Sequence, residues 1–138
     1  MFEWPVRVYI EDTDAGGIVF YANYLRYFER ARSEWLRTLD VDQQRLLQQG
    51  VRFVVRDLNI RYRQPAVLDD ALHVTLSLQA LTKAGMTLNQ QVIRRSESGN
   101  DLLVDATVRL ACIDDAGRPM AIPPHLVTLM KPSVQESM

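Results

Sequence analysis

The chain has 138 residues, of which 47% are hydrophobic and 24% are charged, and its formal net charge is -1. This length suits a single domain over residues 1–138, and a net charge near zero gives no reason to expect nucleic acid or an acidic membrane surface as a partner. No apolar run approaches the length of a membrane span and the N-terminus lacks the pattern of a signal peptide, so we expect a cytoplasmic protein.

Two elements are predicted near the start of the chain. Residues 6–10 are β-branched or aromatic and follow Pro5, which suits a first strand. From Tyr24 to Leu39 the apolar side chains recur at the spacing of one face of an α-helix, and the opposite face is charged. An isolated amphipathic helix is unstable in water, so we expect the rest of the chain to pack around this one.

Between this strand and this helix lies a turn with three carboxylates and two glycines. The acids are Glu11, Asp12 and Asp14, and Gly16 and Gly17 permit a positive φ or the close approach of a ligand. The first amides of a helix have no partner inside it, so they can stabilise an anion or a charge that develops on a carbonyl oxygen. The same residues also suit a plain turn that caps the helix, and residue types alone leave both interpretations open.

After the long helix, the pattern predicts a short surface helix and then strands. Asp40 or Asp42 can cap the short helix, and Gly50 can close it. Beyond Gly50, apolar and polar residues alternate, but the phase of the alternation changes near Arg56 and Asp57. A one-residue slip moves every side chain to the other face of a sheet, so this change predicts a β-bulge.

Further strands complete the fold and are joined by short turns. They are expected at about 74–79, 86–95 and 102–114, with a loop at 64–70, turns at 83–85, 97–101 and 115–118, a last helical turn near Pro123 or Pro124, and a flexible tail over about 132–138. Short turns favour antiparallel pairing. The sequence therefore predicts an α+β fold, with an antiparallel sheet of about five strands wrapped around one long central helix. Open sheet edges need cover, so we expect a homodimer or homotetramer.

The single cysteine and the two histidines offer little chemistry. Cys112 lies in an alternating apolar run and is expected to be a small buried hydrophobic residue, whereas a nucleophilic role would need a histidine partner. His73 and His125 are far apart and belong to no cluster with ligand spacing. We therefore expect no metal site.

Two segments resemble the signature of the 4-hydroxybenzoyl-CoA thioesterase family of hotdog folds. They are EDTDAGGIVFYANYLRYFERAR, from Glu11 to Arg32, and RYRQPAVLDD, from Arg61 to Asp70. The resemblance is closest to the YbgC-type, Tol-Pal-associated acyl-CoA thioesterases, and it extends over residues 8–130. It implies a hotdog fold and the hydrolysis of an acyl-CoA to free acid and CoA, without a cofactor.

The resemblance also implies roles for individual residues. Asp14 matches the catalytic carboxylate of the family, and Gly17 with the amides up to Tyr21 matches the segment that holds the thioester carbonyl. Asp14 can attack the carbonyl or deprotonate a water, and the sequence leaves both routes open. Many YbgC-type sequences carry His in place of Tyr21, but a backbone amide polarises a carbonyl whichever side chain it carries. Asn23 and Tyr24 match an Asn-Tyr pair whose implied role is structural.

The phosphates of CoA need cationic partners. The candidates on or near strands are Arg56, Arg61, Arg63, Arg94 and Lys83, although each also suits a solvated surface position.

Two other functions remain as alternatives. A hotdog dehydratase needs a histidine near the acyl chain, and no histidine lies on or beside the predicted central helix. A non-catalytic protein that binds acyl-CoA or acyl carrier protein, or a scaffold in membrane biogenesis, would bind a thioester and leave it intact. The sequence does not define the preferred acyl group.

Overall fold

A computed structural model describes residues 1–135 as one sheet and three helices. In chain order the elements are β1 (Phe2–Arg7), α1 (Asn23–Thr38), α2 (Gln43–Gln48), β2 (Arg52–Tyr62), β3 (Ala71–Leu81), β4 (Gly85–Ser96), β5 (Gly99–Ile113) and α3 (Pro124–Met130), with short 3-10 turns at Ile10–Asp12 and Lys131–Ser133. The strands pair in the order β1-β3-β4-β5-β2, and every pair is antiparallel. β1 and β2 therefore form the two edges of this sheet.

The long helix α1 packs against the sheet through the face that the sequence predicted. Tyr27 and Phe28 are almost completely buried, as are Tyr24, Ala31 and Trp35 along the same stripe. The helix contacts β1 and β3 directly. Burying a large aromatic side chain stabilises a fold by about 1.5–3 kcal/mol, so this stripe fixes α1 on the sheet. The predicted α+β arrangement of a sheet around one helix is confirmed.

The first strand lies earlier than expected. β1 covers Phe2–Arg7, and not residues 6–10, because Pro5 lies within it opposite His73 on β3. An edge strand tolerates proline, since the missing N–H need not face a neighbouring strand. After Arg7 the chain leaves the sheet, and the backbone N–H of Tyr9 donates to the Asp12 carboxylate at 2.8 Å. This bond closes the turn where the sequence pattern predicted more strand.

The predicted irregularity in β2 is present. Val55 pairs with Leu110 and Asp57 with Arg109, so Arg56 is the extra residue of a bulge. The short helix α2 also matches the prediction: the Asp42 carboxylate accepts the Arg45 N–H at 3.2 Å. Gly50 follows the helix with a φ of 77°, as a left-handed cap requires.

The remaining predictions for the chain have mixed outcomes. Cys112 is fully buried on β5, as expected, and burial raises the pKa of its thiol. At the C-terminus the N–H of Gln135 donates to the Leu78 carbonyl at 2.7 Å, so the chain up to this point lies against β3. Residues 136–138 of the expected tail lie outside the described residues, and its flexibility stays a prediction. None of the helices in the described region has both the length and the hydrophobicity to cross a bilayer.

Candidate active site

The acidic turn forms a small hairpin of its own in front of α1. Thr13 and Val19 are bridged across it, and the Gly17 N–H donates to the Asp14 carbonyl at 3.0 Å. Gly17 has a φ of 79°, a left-handed conformation that glycine adopts without strain. The residue before the helix is Ala22, and no side chain caps α1. The predicted turn is therefore present, but the prediction that its carboxylates cap the helix is wrong.

Asp14 presents its carboxylate at the surface, and the backbone holds it in place. The Gly16 N–H donates to Asp14 Oδ1 at 2.8 Å. A charge-assisted bond of this kind limits the rotation of the side chain. The carboxylate borders a groove of about 390 Å³, whose other lining residues are Glu11, Thr13, Phe20, Ala22, Asn23 and Arg26. Asp14 is thus exposed to a ligand and preoriented by its own turn.

Arg26 is a member of this groove that the sequence pattern did not single out. Its position on the charged face of α1 suggested a solvated residue. Arg26 follows Ala22 by four residues, so both side chains lie on the helix face that borders Asp14. The groove therefore combines the carboxylates of Glu11 and Asp14 with one guanidinium.

Asp12 plays a different part from Asp14, because it is buried. Its carboxylate accepts the Tyr9 N–H at 2.8 Å and the Asn23 side-chain amide at 3.0 Å, and its carbonyl accepts the Phe20 N–H at 3.0 Å. Tyr27 lies beside this network, and burial first and the charge of Asp12 second raise the pKa of its hydroxyl. Asp12 and Asn23 thus tie the acidic hairpin to the first turn of α1.

The segment between the hairpin and α1 leaves two backbone donors free within the described part of the chain. The amides of Gly17, Val19 and Phe20 all donate to backbone carbonyls, whereas the Tyr21 and Ala22 N–H groups have no acceptor among residues 1–135. The Tyr21 carbonyl accepts the Tyr62 hydroxyl at 3.0 Å, and the two rings pack edge to face. Tyr62 belongs to β2, far away in sequence, so no local pattern could have identified this contact.

The five candidate partners for the CoA phosphates are dispersed. Arg94 donates to Asp70 at 2.9 Å and lies 3.5 Å from Asp101, so its charge is already balanced. Lys83 lies in the turn before β4, which pairs with the end of β5 next to the start of β2. That end of the sheet is opposite to the end where Val67 bridges Ile18 and Tyr62 contacts Tyr21.

The other candidates lie on or just after β2. Arg56 occupies the bulge, with Asp57 at 3.8 Å. Arg61 precedes Tyr62, whose ring faces Tyr24 of α1, so alternation directs Arg61 to the outer face of the sheet. Arg63 is exposed just after the strand. One chain therefore does not gather the five cations into a single cluster.

A sheet that curls around one long helix is the architecture of hotdog-fold proteins, and comparison with known proteins agrees with it. Residues 8–130 match the family model described as the thioesterase-like superfamily. The chain belongs to this superfamily. It is 46% identical to the acyl-CoA thioesterase YbgC of Haemophilus influenzae over 88% of each chain. It is 39% identical to the acyl-CoA thioester hydrolase YbgC of Escherichia coli O6:H1 over 95% of this chain and 96% of that one.

A solved structure confirms the fold independently of sequence. A 4-hydroxybenzoyl CoA thioesterase mutant, complexed with 4-hydroxybenzoyl CoA, superposes with a TM-score of 0.84 over 92% of this chain and 96% of that chain. At 19% identity this similarity shows the fold alone. The predicted hotdog fold is confirmed, and so is the resemblance to thioesterases of the YbgC type.

Proposed function

We propose that the protein hydrolyses acyl-CoA to a free acid and CoA, with Asp14 as nucleophile or general base. One observation carries this proposal: an exposed carboxylate is held by the Gly16 N–H at 2.8 Å in a groove beside the start of α1. The relatives named as acyl-CoA thioesterases support the reaction class.

The two routes open to Asp14 differ in the atom that attacks. As nucleophile, a carboxylate oxygen bonds to the thioester carbon, the C–S bond breaks, CoA leaves as thiolate and takes a proton, and water then cleaves the mixed anhydride. As general base, the carboxylate takes a proton from a water, and the water oxygen bonds to the same carbon. The C–S bond then breaks, and the departing CoA thiolate takes up the proton that the carboxylate holds.

Both routes place negative charge on the thioester oxygen in the transition state. The Tyr21 N–H is suited to stabilise this charge, because it lies ahead of α1 and has no acceptor in the described chain. Gly17 contributes its left-handed backbone conformation and no hydrogen bond to the substrate, because its own N–H donates to the Asp14 carbonyl. Removing one oxyanion donor typically slows an enzyme by about 10²–10³-fold.

The test is the release of free CoA thiol from short, long and aromatic acyl-CoAs by the purified protein. Turnover of any of them supports hydrolysis and ranks the acyl groups. Tight binding of an acyl-CoA that stays intact would favour the alternative, a non-catalytic protein that binds acyl-CoA or acyl carrier protein. Repeating the assay with acyl carrier protein thioesters tests that partner directly.

The partners and the location of the protein are part of the same proposal. β2 is a sheet edge with Val54 and Val55 exposed by 38% and 49%, and pairing with a second copy would cover both the edge and these side chains. We therefore propose a homodimer or a tetramer built from it, testable by light scattering during size-exclusion chromatography. Arg61 and Arg63 are proposed for the CoA phosphates, and cell fractionation tests the cytoplasmic location.

A Tyr62→Phe variant is expected to lower kcat about three- to tenfold and to leave KM nearly unchanged. The variant loses only the hydroxyl that donates to the Tyr21 carbonyl, a bond worth about 0.5–1.5 kcal/mol. Tyr62 would then be a positioning residue for the Tyr21 amide. Tyr9→Phe changes an exposed tyrosine in the same way and serves as control. A rise in KM at constant kcat would contradict the positioning role.

Gly16→Ala and Gly17→Ala are expected to act on different properties. A Cβ on Gly16 would lie 3.2 Å from Asp14 Oδ1 and displace the carboxylate, so turnover should fall about tenfold. A Cβ on Gly17 meets no atom within 4 Å, but its φ of 79° strains alanine by about 1–2 kcal/mol. Turnover and urea unfolding measured on both variants separate the two effects. Equal loss of turnover in both would contradict the assignment for Gly16.

A further inference from the structure

A second cavity beside α1 lies away from the Asp14 groove. It is a cavity of about 360 Å³ between α1, α2, the first half of β2 and the inner face of the sheet. Its walls are mainly apolar and include Trp35, Leu36, Leu46, Met86, Leu88 and Leu110. No residue that lines it also lines the groove at Asp14.

Arg32 lines this mainly apolar cavity, and a side chain of the sheet fixes its guanidinium. Arg32 is partly buried, and its Nη1 donates to Gln90 Oε1 at 2.9 Å. Gln90 is completely buried on β4, and its Nε2 donates to the Phe28 carbonyl at 3.1 Å. The amide of Gln90 is therefore fixed between sheet and helix, and it fixes one edge of the guanidinium. The remaining N–H groups of Arg32 have no acceptor among residues 1–135.

The charge of Arg32 is not balanced by a contact. No carboxylate in the described chain lies within 4.0 Å of it. Glu29, one turn earlier, also lines the cavity, and its charge raises the pKa of Arg32 against the larger, lowering effect of burial. Arg52, the other cation at the cavity, pairs with Asp115 at 3.2 Å. Removing a cation from water without a paired anion is unfavourable, so a ligand that supplies one gains binding free energy.

We propose that this cavity binds a free carboxylic acid with an apolar body, its carboxylate on Arg32 and its hydrocarbon against the Trp35 and Leu88 side. Arginine suits a carboxylate because its planar fork donates two parallel hydrogen bonds. Sites that bury small ligands combine apolar walls with a few fixed polar groups, as this cavity does. Binding can be measured without a thioester, so this inference does not depend on the proposed hydrolysis. If the hydrolysis holds, its product belongs to the class of molecule that the cavity binds.

The test is calorimetric titration of the native protein with octanoate and with 1-octanol, which has the same chain without the charge. Octanoate is expected to bind at least about tenfold more tightly than 1-octanol, because hydrogen bonds to a charged group increase affinity by about that factor. Arg32→Gln should abolish this preference. Arg30→Gln makes the same change on the same helix at a position that does not line the cavity, and it should retain the preference.

Two further variants locate the carboxylate. Arg26→Gln removes the guanidinium of the Asp14 groove, and octanoate binding should survive it. Arg32→Lys keeps the charge and loses the fork, so its preference for octanoate should lie between native and Arg32→Gln, with thermal unfolding used to verify that each variant is folded. Equal affinity for octanoate and octanol, no binding of octanoate, or loss of binding in Arg26→Gln alone would each overturn the proposal. The comparison of octanoate with 1-octanol on the native protein tests the proposal even if Arg32→Gln does not fold.

Discussion

An Asp14→Asn variant is expected to release CoA from its best acyl-CoA about 10²–10⁴-fold more slowly than the native protein, the range that a catalytic acid or base contributes. Asparagine has nearly the same shape as aspartate, and its Oδ1 can still accept the Gly16 N–H that now lies 2.8 Å away. The hairpin should therefore keep its form. What the amide lacks is the ability to attack a thioester carbon or to take a proton from water.

The matched control for this variant is Glu11→Gln. Glu11 borders the same groove and is exposed, so the exchange removes one negative charge from the site without touching Asp14. Turnover by Glu11→Gln should stay within a few-fold of native, and both variants should unfold at the native urea concentration. Equal losses in the two variants would show that the groove needs negative charge in general, and undiminished turnover by Asp14→Asn would eliminate both proposed routes.

The sequence predicted the central helix and the irregularity of β2 for physical reasons that are local. The apolar residues from Tyr24 to Trp35 recur with the period of an α-helix, so they can only lie on one face, and that face is buried. The phase change at Arg56 requires a bulge or a sharp twist in the strand, and β2 has the bulge. The position of β1 was wrong because it depends on which edge of the sheet the strand occupies. Whether Pro5 can lie in a strand is decided by its neighbour β3, which comes much later in the chain.

The same limit separates the predicted and the missed parts of the candidate site. The acid-glycine turn around Asp14 is a local motif, and family resemblance made it specific. Tyr62 reaches Tyr21 only because the end of β2 lies beside the start of α1, a contact between residues 41 positions apart. Arg32 and Gln90 are 58 positions apart. Contacts of this kind carry no signal in a single sequence, so the partly buried cation could not be distinguished from the exposed charges around it.

The distinct roles of Asp12 and Asp14 lead to the second large effect. Asp12→Ala is expected to lower the free energy of unfolding by about 2–5 kcal/mol. The substitution leaves the buried Asn23 side-chain amide and the partly buried Tyr9 N–H without their acceptor, and an unsatisfied buried donor costs about 1–3 kcal/mol. Glu11→Ala removes an exposed carboxylate next to it and should change stability by no more than about 0.5 kcal/mol.

A double-mutant cycle shows whether the Asp12–Asn23 bond causes this loss. Asn23→Ala removes one of the two donors, so the loss in the double variant should be smaller than the sum of the single losses by about 0.5–3 kcal/mol. Urea unfolding at an unchanged m-value gives all four free energies. Additive losses would mean that the bond contributes nothing beyond its parts. Because the carbonyl of Asp12 also accepts the Phe20 N–H, loosening Asp12 should shift the segment that presents the Tyr21 amide. Turnover by Asp12→Ala should therefore fall although Asp14 is intact. This result would show that the buried Asp12 positions the site in which the exposed Asp14 acts.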